Sequence, residues 1–276
     1  MLTGFLLALR EGLEAALIIG IVIGALGKMS RTDLAPAVWR GTIGAILVSV
    51  SAGVALAAFG LTLAGAAEQI FEGVAMLLAA GVLTWMVFWM NRQARHVKLG
   101  LETGVRRAAL MSGQAALFSL AFLAVVREGI ELALFLTAAA FTSGTQSTIV
   151  GGLLGLAAAA LMGWSLFASI IRLDLRRFFH VTGVLLLLFA AGLVGHGVHE
   201  FNEVGWVPAV IEHVWDLNPI LDEKSTAGLM LQALLGYNGN PGLTELIAYL
   251  AYLGTVLLAL RWTSRHNAAV AVQAAA

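Results

Sequence analysis

The feature that most constrains this chain is a series of apolar stretches, each long enough to cross a lipid bilayer. A membrane-spanning helix needs about 20 consecutive, mostly apolar residues. The sequence provides seven such stretches, at residues 2–27, 36–64, 68–90, 112–141, 149–171, 179–199 and 243–262. We therefore predict an all-α, polytopic membrane protein with seven transmembrane helices.

Composition supports a membrane protein and excludes several other classes. The chain is 60% hydrophobic and 12% charged, whereas soluble domains are about 25% charged. The first stretch lacks a basic start and contains Arg10, Glu11 and Glu14, so we interpret it as a retained helix rather than a signal peptide. The absence of Cys excludes thiolate metal sites and disulfides. A net charge of zero provides no basic surface for nucleic acid.

The distribution of basic residues predicts the orientation in the membrane. Seven spans place the termini on opposite sides, and cytoplasmic segments carry the excess of Lys and Arg. With the N-terminus outside, Lys224 alone lies in the outer segments, and thirteen basic residues lie in the inner ones: Lys28, Arg31, Arg40, Arg92, Arg95, Lys98, Arg106, Arg107, Arg172, Arg176, Arg177, Arg261 and Arg265. We therefore predict the inner membrane of a cell, with an outside N-terminus and an inside C-terminus.

An internal repeat organises the chain. Residues 10–17 read Arg-Glu-Gly-Leu-Glu-Ala-Ala-Leu, and residues 127–134 read Arg-Glu-Gly-Ile-Glu-Leu-Ala-Leu, with six identities in eight positions. The two copies lie on the first and fourth predicted helices, so the helices that carry them point in opposite directions. We predict an inverted repeat of helices 1–3 and 4–6 plus a seventh helix, an arrangement that places transport sites near the membrane midplane.

The predicted domain organisation follows from this repeat. One transmembrane domain occupies residues 1–266, with repeat one at about 1–90, repeat two at about 112–199, an acidic outer loop at about 200–242 and helix seven at about 243–262. Within the loop, residues 226–235 are apolar enough for a short re-entrant helix. The Ala-rich tail at 267–276 is expected to be disordered.

The repeated motif brings ionisable groups into the middle of two spans. Glu11 and Glu14 are three residues apart and share one helix face, as do Glu128 and Glu131. Each charged residue at mid-membrane costs at least about 2.5–3.5 kcal/mol on insertion scales. Structural Arg–Glu salt bridges would explain one Glu of each motif but leave the second without a partner, so we favour a functional site.

Four convergent carboxylates supply hard oxygen ligands, which suit Mg, Mn, Ca or oxidised iron and suit Cu(I) poorly. Arg10 and Arg127 each lie one helical turn from the second Glu of their motif. Our hypothesis is that each Arg limits the binding strength, so that a cation can also leave. The four Glu residues are the predicted metal ligands, and the two Arg residues support the site.

Further acidic and His residues lie at the predicted outer ends of two helices. The third span opens with Glu68 and Glu72, and the sixth closes with His196, His199 and Glu200. We interpret these five residues as an outer vestibule that passes a cation to the midplane carboxylates. Glu68 can also be a solvated helix start, where a carboxylate favours the helix dipole, and His199 can be an ordinary interfacial His.

The two motifs resemble the REXXE motifs of the oxidase-dependent iron permeases, a family that includes fungal high-affinity permeases and bacterial EfeU-type permeases. The segment Glu68–Gly73 is similar to the Glu-rich third helix of that family, and residues 199–203 and 234–237 are similar to its bacterial branch. The resemblance extends to about Arg265. It implies seven helices, an outside N-terminus and iron uptake, with Glu11, Glu14, Glu128 and Glu131 as iron ligands.

The resemblance also implies partners. Iron is the transported substrate, no permanent cofactor is expected, and periplasmic iron-binding, oxidase or peroxidase proteins would act as separate chains. We also expect contact with membrane lipid. The sequence leaves open whether the chain forms a homo-oligomer. The sequence also leaves open whether Fe2+ or Fe3+ is handled.

Two alternatives remain beside an iron permease. One is a permease for another divalent metal, such as lead, manganese or zinc. The other is a membrane di-iron oxidoreductase, whose bundles pair Glu with a Glu-x-x-His motif. Both motifs here read Glu-x-x-Glu, and the sequence contains no Walker loop or nucleophile elbow. We therefore expect a transporter and no enzyme.

Overall fold

The computed structural model describes residues 1–93, 103, 105, 113–167, 174–223 and 225–273, without the side chains of 91–93, 176, 233 and 263–273. Within these residues the chain is all-helical. The α-helices are α1 Leu2–Lys28, α2 Ala35–Leu61, α3 Ala66–Gln93, α4 Gly113–Ser143, α5 Thr145–Phe167, α6 Leu175–Glu203, α7 Thr226–Leu235 and α8 Leu243–Gln273, with a short 3-10 helix at Thr32–Leu34.

Each of the seven predicted stretches contains a helix in its described residues, and α7 coincides with the predicted short helix at 226–235. Five segments are long and apolar enough to cross a bilayer: Thr32–Leu61, Ala66–Met90, Thr145–Phe167, Arg177–Glu203 and Leu243–Trp262. These segments establish a multi-pass membrane protein. Helices α1 and α4 are not among the five, and both carry the charged motifs. Their insertion into the membrane therefore stays a prediction, and so does the count of seven spans.

The C-terminal tail differs from its prediction. Helix α8 continues to Gln273, whereas disorder was expected from residue 267. The tail contains no Gly or Pro and is rich in Ala, the residue with the highest helix propensity. Several basic residues used to predict the orientation lie outside the described residues: Arg95, Lys98, Arg106, Arg107, Arg172 and Lys224.

Local sequence explains where several helices begin and end. Pro36 lies in the first turn of α2, where its fixed φ favours helix initiation. Gly144 separates α4 from α5 with a φ of +81°, a conformation that strongly favours Gly. The Ser225 hydroxyl accepts a hydrogen bond from the Gly228 amide at the start of α7, and Gly236 ends that helix in the left-handed conformation.

The chain forms two compact units. The first contains Met1–Glu68 and Met90–Val184, and the second contains Gln69–Trp89 and Leu185–Ala276. Helices α1, α2, α4 and α5 therefore belong to the first unit. The second unit consists of most of α3 and α6 together with α7 and α8.

In the first unit, α1 packs along α5 and α2 packs along α4. Gly residues permit a close approach of the backbones, as is common between membrane helices. A Cβ atom on Gly41 of α2 would collide with the carbonyl oxygen of Phe118 in α4. A Cβ atom on Gly151 of α5 would collide in the same way with the carbonyl oxygen of Met1.

A second pair of contacts repeats the same relationship. A Cβ atom on Gly53 would lie 3.3 Å from the Cβ atom of Ala133, and one on Gly163 would lie 2.8 Å from that of Ala16. Met1 to Phe118 and Ala16 to Ala133 are each 117 positions apart. Gly41 to Gly151 and Gly53 to Gly163 are each 110 positions apart. The packing of α1 on α5 therefore recurs, residue for residue, in the packing of α4 on α2.

The second unit has its own packed interior. Val87 of α3, Leu187 of α6 and Val256 of α8 form a buried apolar cluster. The Thr84 and Tyr252 hydroxyls, in α3 and α8, are 2.6 Å apart and share a hydrogen bond. Within this unit α3, α6 and α8 are therefore held together by both apolar and polar contacts.

Candidate metal centre

The two repeated motifs meet where α1 and α4 contact each other in the first unit. Ligand oxygens of Glu11, Glu128 and Glu131 lie within 4.8 Å of one another. Metal–oxygen bonds of about 2.0–2.6 Å would allow one cation to contact all three carboxylates. Glu14, the fourth predicted ligand, lies outside this group of three and contacts Arg10 instead.

Burial separates this centre from ordinary surface carboxylates. The side chains of Glu11 and Glu128 are 1% and 2% exposed, and those of Glu14 and Glu131 are 11% and 12% exposed. The Oε2 atoms of Glu11, Glu128 and Glu131 are buried and accept no hydrogen bond from the part of the chain that the structure describes. A buried acceptor without a partner costs about 1–3 kcal/mol, and a bound cation would remove that cost.

Each Arg residue contacts both Glu residues of its own motif, so the expectation that salt bridges would leave the second Glu without a partner was wrong. Arg10 lies 2.8 Å from Glu11 and 3.0 Å from Glu14. Arg127 lies 2.6 Å from Glu128 and 3.6 Å from Glu131. Because the Oε2 atoms of Glu11, Glu128 and Glu131 remain without donors, these ion pairs satisfy only part of those three carboxylates. Four carboxylates and two guanidinium groups give the centre a formal charge of −2.

The structure distributes the five predicted vestibule residues between the two units. Glu68 belongs to the first unit and is exposed in the first turn of α3. Glu72, His196, His199 and Glu200 belong to the second unit and are partly buried. The Nδ1 atom of His196 is 2.9 Å from the carbonyl oxygen of Gly192, so it carries the proton and donates to that oxygen. A vestibule role for these residues stays a prediction.

Sequence analysis did not identify Glu245, Glu203 or Asn238 as site residues. His199 lies between Glu203 and Glu245, with ring-nitrogen to oxygen distances of 3.4 and 3.8 Å. Asn238 donates to both oxygens of Glu245, at 2.8 and 3.0 Å. The one signal in the sequence is an acidic residue at the start of an apolar span.

Comparison with known proteins identifies the family of the chain. A model of the iron permease FTR1 family matches residues 1–271. A ferrous iron permease EfeU of Yersinia pestis is 33% identical over 278 residues, covering 100% of this chain and 98% of that protein. A ferrous iron permease EfeU of Shigella sonnei is 34% identical over 271 residues, covering 97% and 98%. No solved structure matches the chain.

Proposed function

The chain belongs to the iron permease FTR1 family, and from this premise we propose that it imports iron through the carboxylates of its two motifs. The iron ion would bind between α1 and α4, and the observation that carries the proposal is the cluster of Glu11, Glu128 and Glu131 within 4.8 Å. Carboxylate oxygen is a ligand type that iron and manganese accept readily. Membership of a permease family favours transport over the oxidoreductase alternative.

We propose Fe2+ as the ion that occupies the centre. The relatives are named ferrous iron permeases, and the formal charge of the motifs supports the same oxidation state. With four Glu and two Arg residues, the centre carries a charge of −2. One Fe2+ ion neutralises it, whereas Fe3+ would leave a net charge buried in the membrane, which is costly.

The two Arg residues would prevent the centre from holding the ion too tightly. Each guanidinium group remains within 3.6 Å of both carboxylates of its motif. When the ion leaves, the Arg residues continue to compensate the buried carboxylates, so the empty centre is less unfavourable than four isolated charges. Conduction requires such a balance between entry and release.

We propose an inverted repeat of α1–α3 and α4–α6 with seven spans and an outside N-terminus. The recurring contacts of Gly41 with Phe118 and of Gly151 with Met1 support it. In such a repeat one half can move relative to the other around a midplane site. Glu72, His196, His199 and Glu200 would attract iron on the outer side and pass it to the midplane carboxylates, and periplasmic iron-binding or oxidase proteins would deliver it there.

Iron uptake into proteoliposomes tests this function. Vesicles that contain the purified chain should accumulate Fe2+ under anaerobic conditions, and Glu128→Gln should reduce uptake at least tenfold, because it removes a buried ligand while keeping the side-chain shape. Glu212→Gln is the matched control, since Glu212 is exposed in the loop between α6 and α7. Uptake that is equal in the wild type and Glu128→Gln would refute the proposal.

A further inference from the structure

A buried carboxylate in the second unit has surroundings that a structural role does not fully explain. Glu245 is the third residue of α8 and is 4% exposed. Asn238, in the loop before α8, donates to both carboxylate oxygens. A buried carboxylate is costly unless its charge is compensated, and Asn238 supplies hydrogen bonds but no positive charge.

His199 of α6 approaches this carboxylate without forming a hydrogen bond. Its Nδ1 atom is 3.8 Å from Oε2 of Glu245, which exceeds a hydrogen-bond distance. A transition-metal ion with bonds of about 2.0–2.2 Å to nitrogen and oxygen spans such a separation. On the other side of the ring, Nε2 is 3.4 Å from Glu203, which Gln69 of α3 contacts through a short hydrogen bond.

Asn202 adds an oxygen atom that lacks a donor. Its Nδ2 atom donates to the hydroxyl of Thr244 at 2.7 Å, next to Glu245 in the chain. Its Oδ1 atom is buried and accepts no hydrogen bond from the described residues. An amide oxygen, a carboxylate and an imidazole together form a ligand set suited to divalent first-row metals such as Fe2+, Mn2+ or Zn2+.

A cavity reaches the Glu245 carboxylate, and His199 and Asn202 lie outside its lining. Glu245 and Asn238 form part of its wall, and the remainder includes the side chains of Trp215, Leu231, Leu235 and Tyr249. A mostly apolar wall with a few converging polar groups is typical of binding sites. The stabilising effect of an acidic residue at a helix N-terminus accounts for Glu245 at the start of α8, but not for the cavity or for the Asn202 oxygen.

We propose that Glu245, His199 and Asn202 form a second cation-binding site, which takes a divalent transition-metal ion. Asn238 is a positioning residue that orients the Glu245 carboxylate, and Glu203 lies behind the His199 ring. The inference deepens the proposed function, because it places a separate iron-binding step in the second unit. The identity of the ion as iron rests on the proposed function. The existence of the site does not rest on it.

The test measures anaerobic Fe2+ binding to the full chain in lipid nanodiscs. In a background with Glu11, Glu14, Glu128 and Glu131 replaced by Gln, one equivalent of Fe2+ should still bind. Adding Glu245→Gln should abolish this binding, and adding Asn238→Ala should weaken it about 10–100-fold, as is typical for residues that orient a ligand. Adding Glu212→Gln, which changes an exposed carboxylate of the loop, should have no effect.

The outcomes separate the two proposals. If the four-Gln background binds no Fe2+ while the wild type does, the second site is refuted and the centre between α1 and α4 stands. If the background binds as many equivalents as the wild type, that centre is refuted. His199→Gln provides an independent check with a smaller effect on folding, because the His199 side chain is 44% exposed. Unchanged Fe2+ binding in both His199→Gln and Glu245→Gln would refute the second site.

Discussion

The side chain of Arg10 is 1% exposed, whereas that of Arg127, the equivalent residue in the second motif, is 41% exposed. Both residues contact the two Glu residues of their own motif. Arg10 also donates to the thioether sulfur of Met90 at 2.8 Å. Two motifs with nearly the same sequence therefore lie in different environments, and their Arg residues should respond differently to substitution.

Replacing these Arg residues should show that difference. Arg10→Ala leaves two buried carboxylates without their cation, and breaking a buried ion pair costs about 3–5 kcal/mol. We expect a clear fall in the thermal unfolding midpoint and slower iron release for Arg10→Ala. Arg127→Ala should cause a smaller fall, because the Arg127 side chain is much less buried than that of Arg10. Normal iron transport by Arg10→Ala would refute the role of Arg10 in release.

Close helix contacts at Gly residues give a test of the repeat. Gly41→Ala and Gly151→Ala each place a methyl group against a backbone carbonyl, and such overpacking costs about 1–3 kcal/mol. We expect similar destabilisation by the two substitutions, measured by thermal unfolding in detergent. Gly24→Ala is the control, since no atom lies within 4 Å of a Cβ built there. If all three variants have equal stability, the close packing is not as described.

Metal selectivity should follow from the oxygen ligands of Glu11, Glu128 and Glu131. Carboxylates bind hard and borderline cations and discriminate against soft ones. We expect an excess of Mn2+ to inhibit Fe2+ uptake into proteoliposomes and Ag+, a soft monovalent ion, to inhibit it weakly. Strong inhibition by Ag+ at low concentration, with the vesicles intact, would indicate a different ligand set.

The orientation can be tested by labelling, because the chain contains no Cys. We expect Glu212→Cys to react with a membrane-impermeant maleimide in intact spheroplasts and Asp33→Cys to react only after permeabilisation. Both side chains are exposed in the structure. The reverse pattern of labelling would place the N-terminus in the cytoplasm and overturn the predicted orientation.

The helices, and the shared helix face of each acid pair, could be predicted from the sequence because both depend on local patterns. Apolar length fixes a membrane helix, and the spacing of Glu128 and Glu131 places them on one helix face. Predicting that Glu128 and Glu131 lie close to Glu11 also required the assumption that the two motifs face each other in an inverted repeat. The end of α8 was not predicted, because composition alone does not distinguish an Ala-rich helix from a flexible tail.

The second site could not be predicted from local patterns. Glu245, Asn238 and His199 come from α8, the preceding loop and α6, and only tertiary structure brings them together. The different exposure of Arg10 and Arg127 also arises from contacts distant in sequence, such as that with Met90. Residues with the same neighbours along the chain therefore acquire different environments in the fold.

Anomalous diffraction at the iron absorption edge, from crystals of the full chain grown with Fe2+, would locate the bound iron. We predict a peak between α1 and α4, about 2.0–2.5 Å from carboxylate oxygens of Glu11, Glu128 and Glu131. Crystals in which these three side chains face lipid or lie far apart, with iron bound elsewhere in the chain, would contradict it.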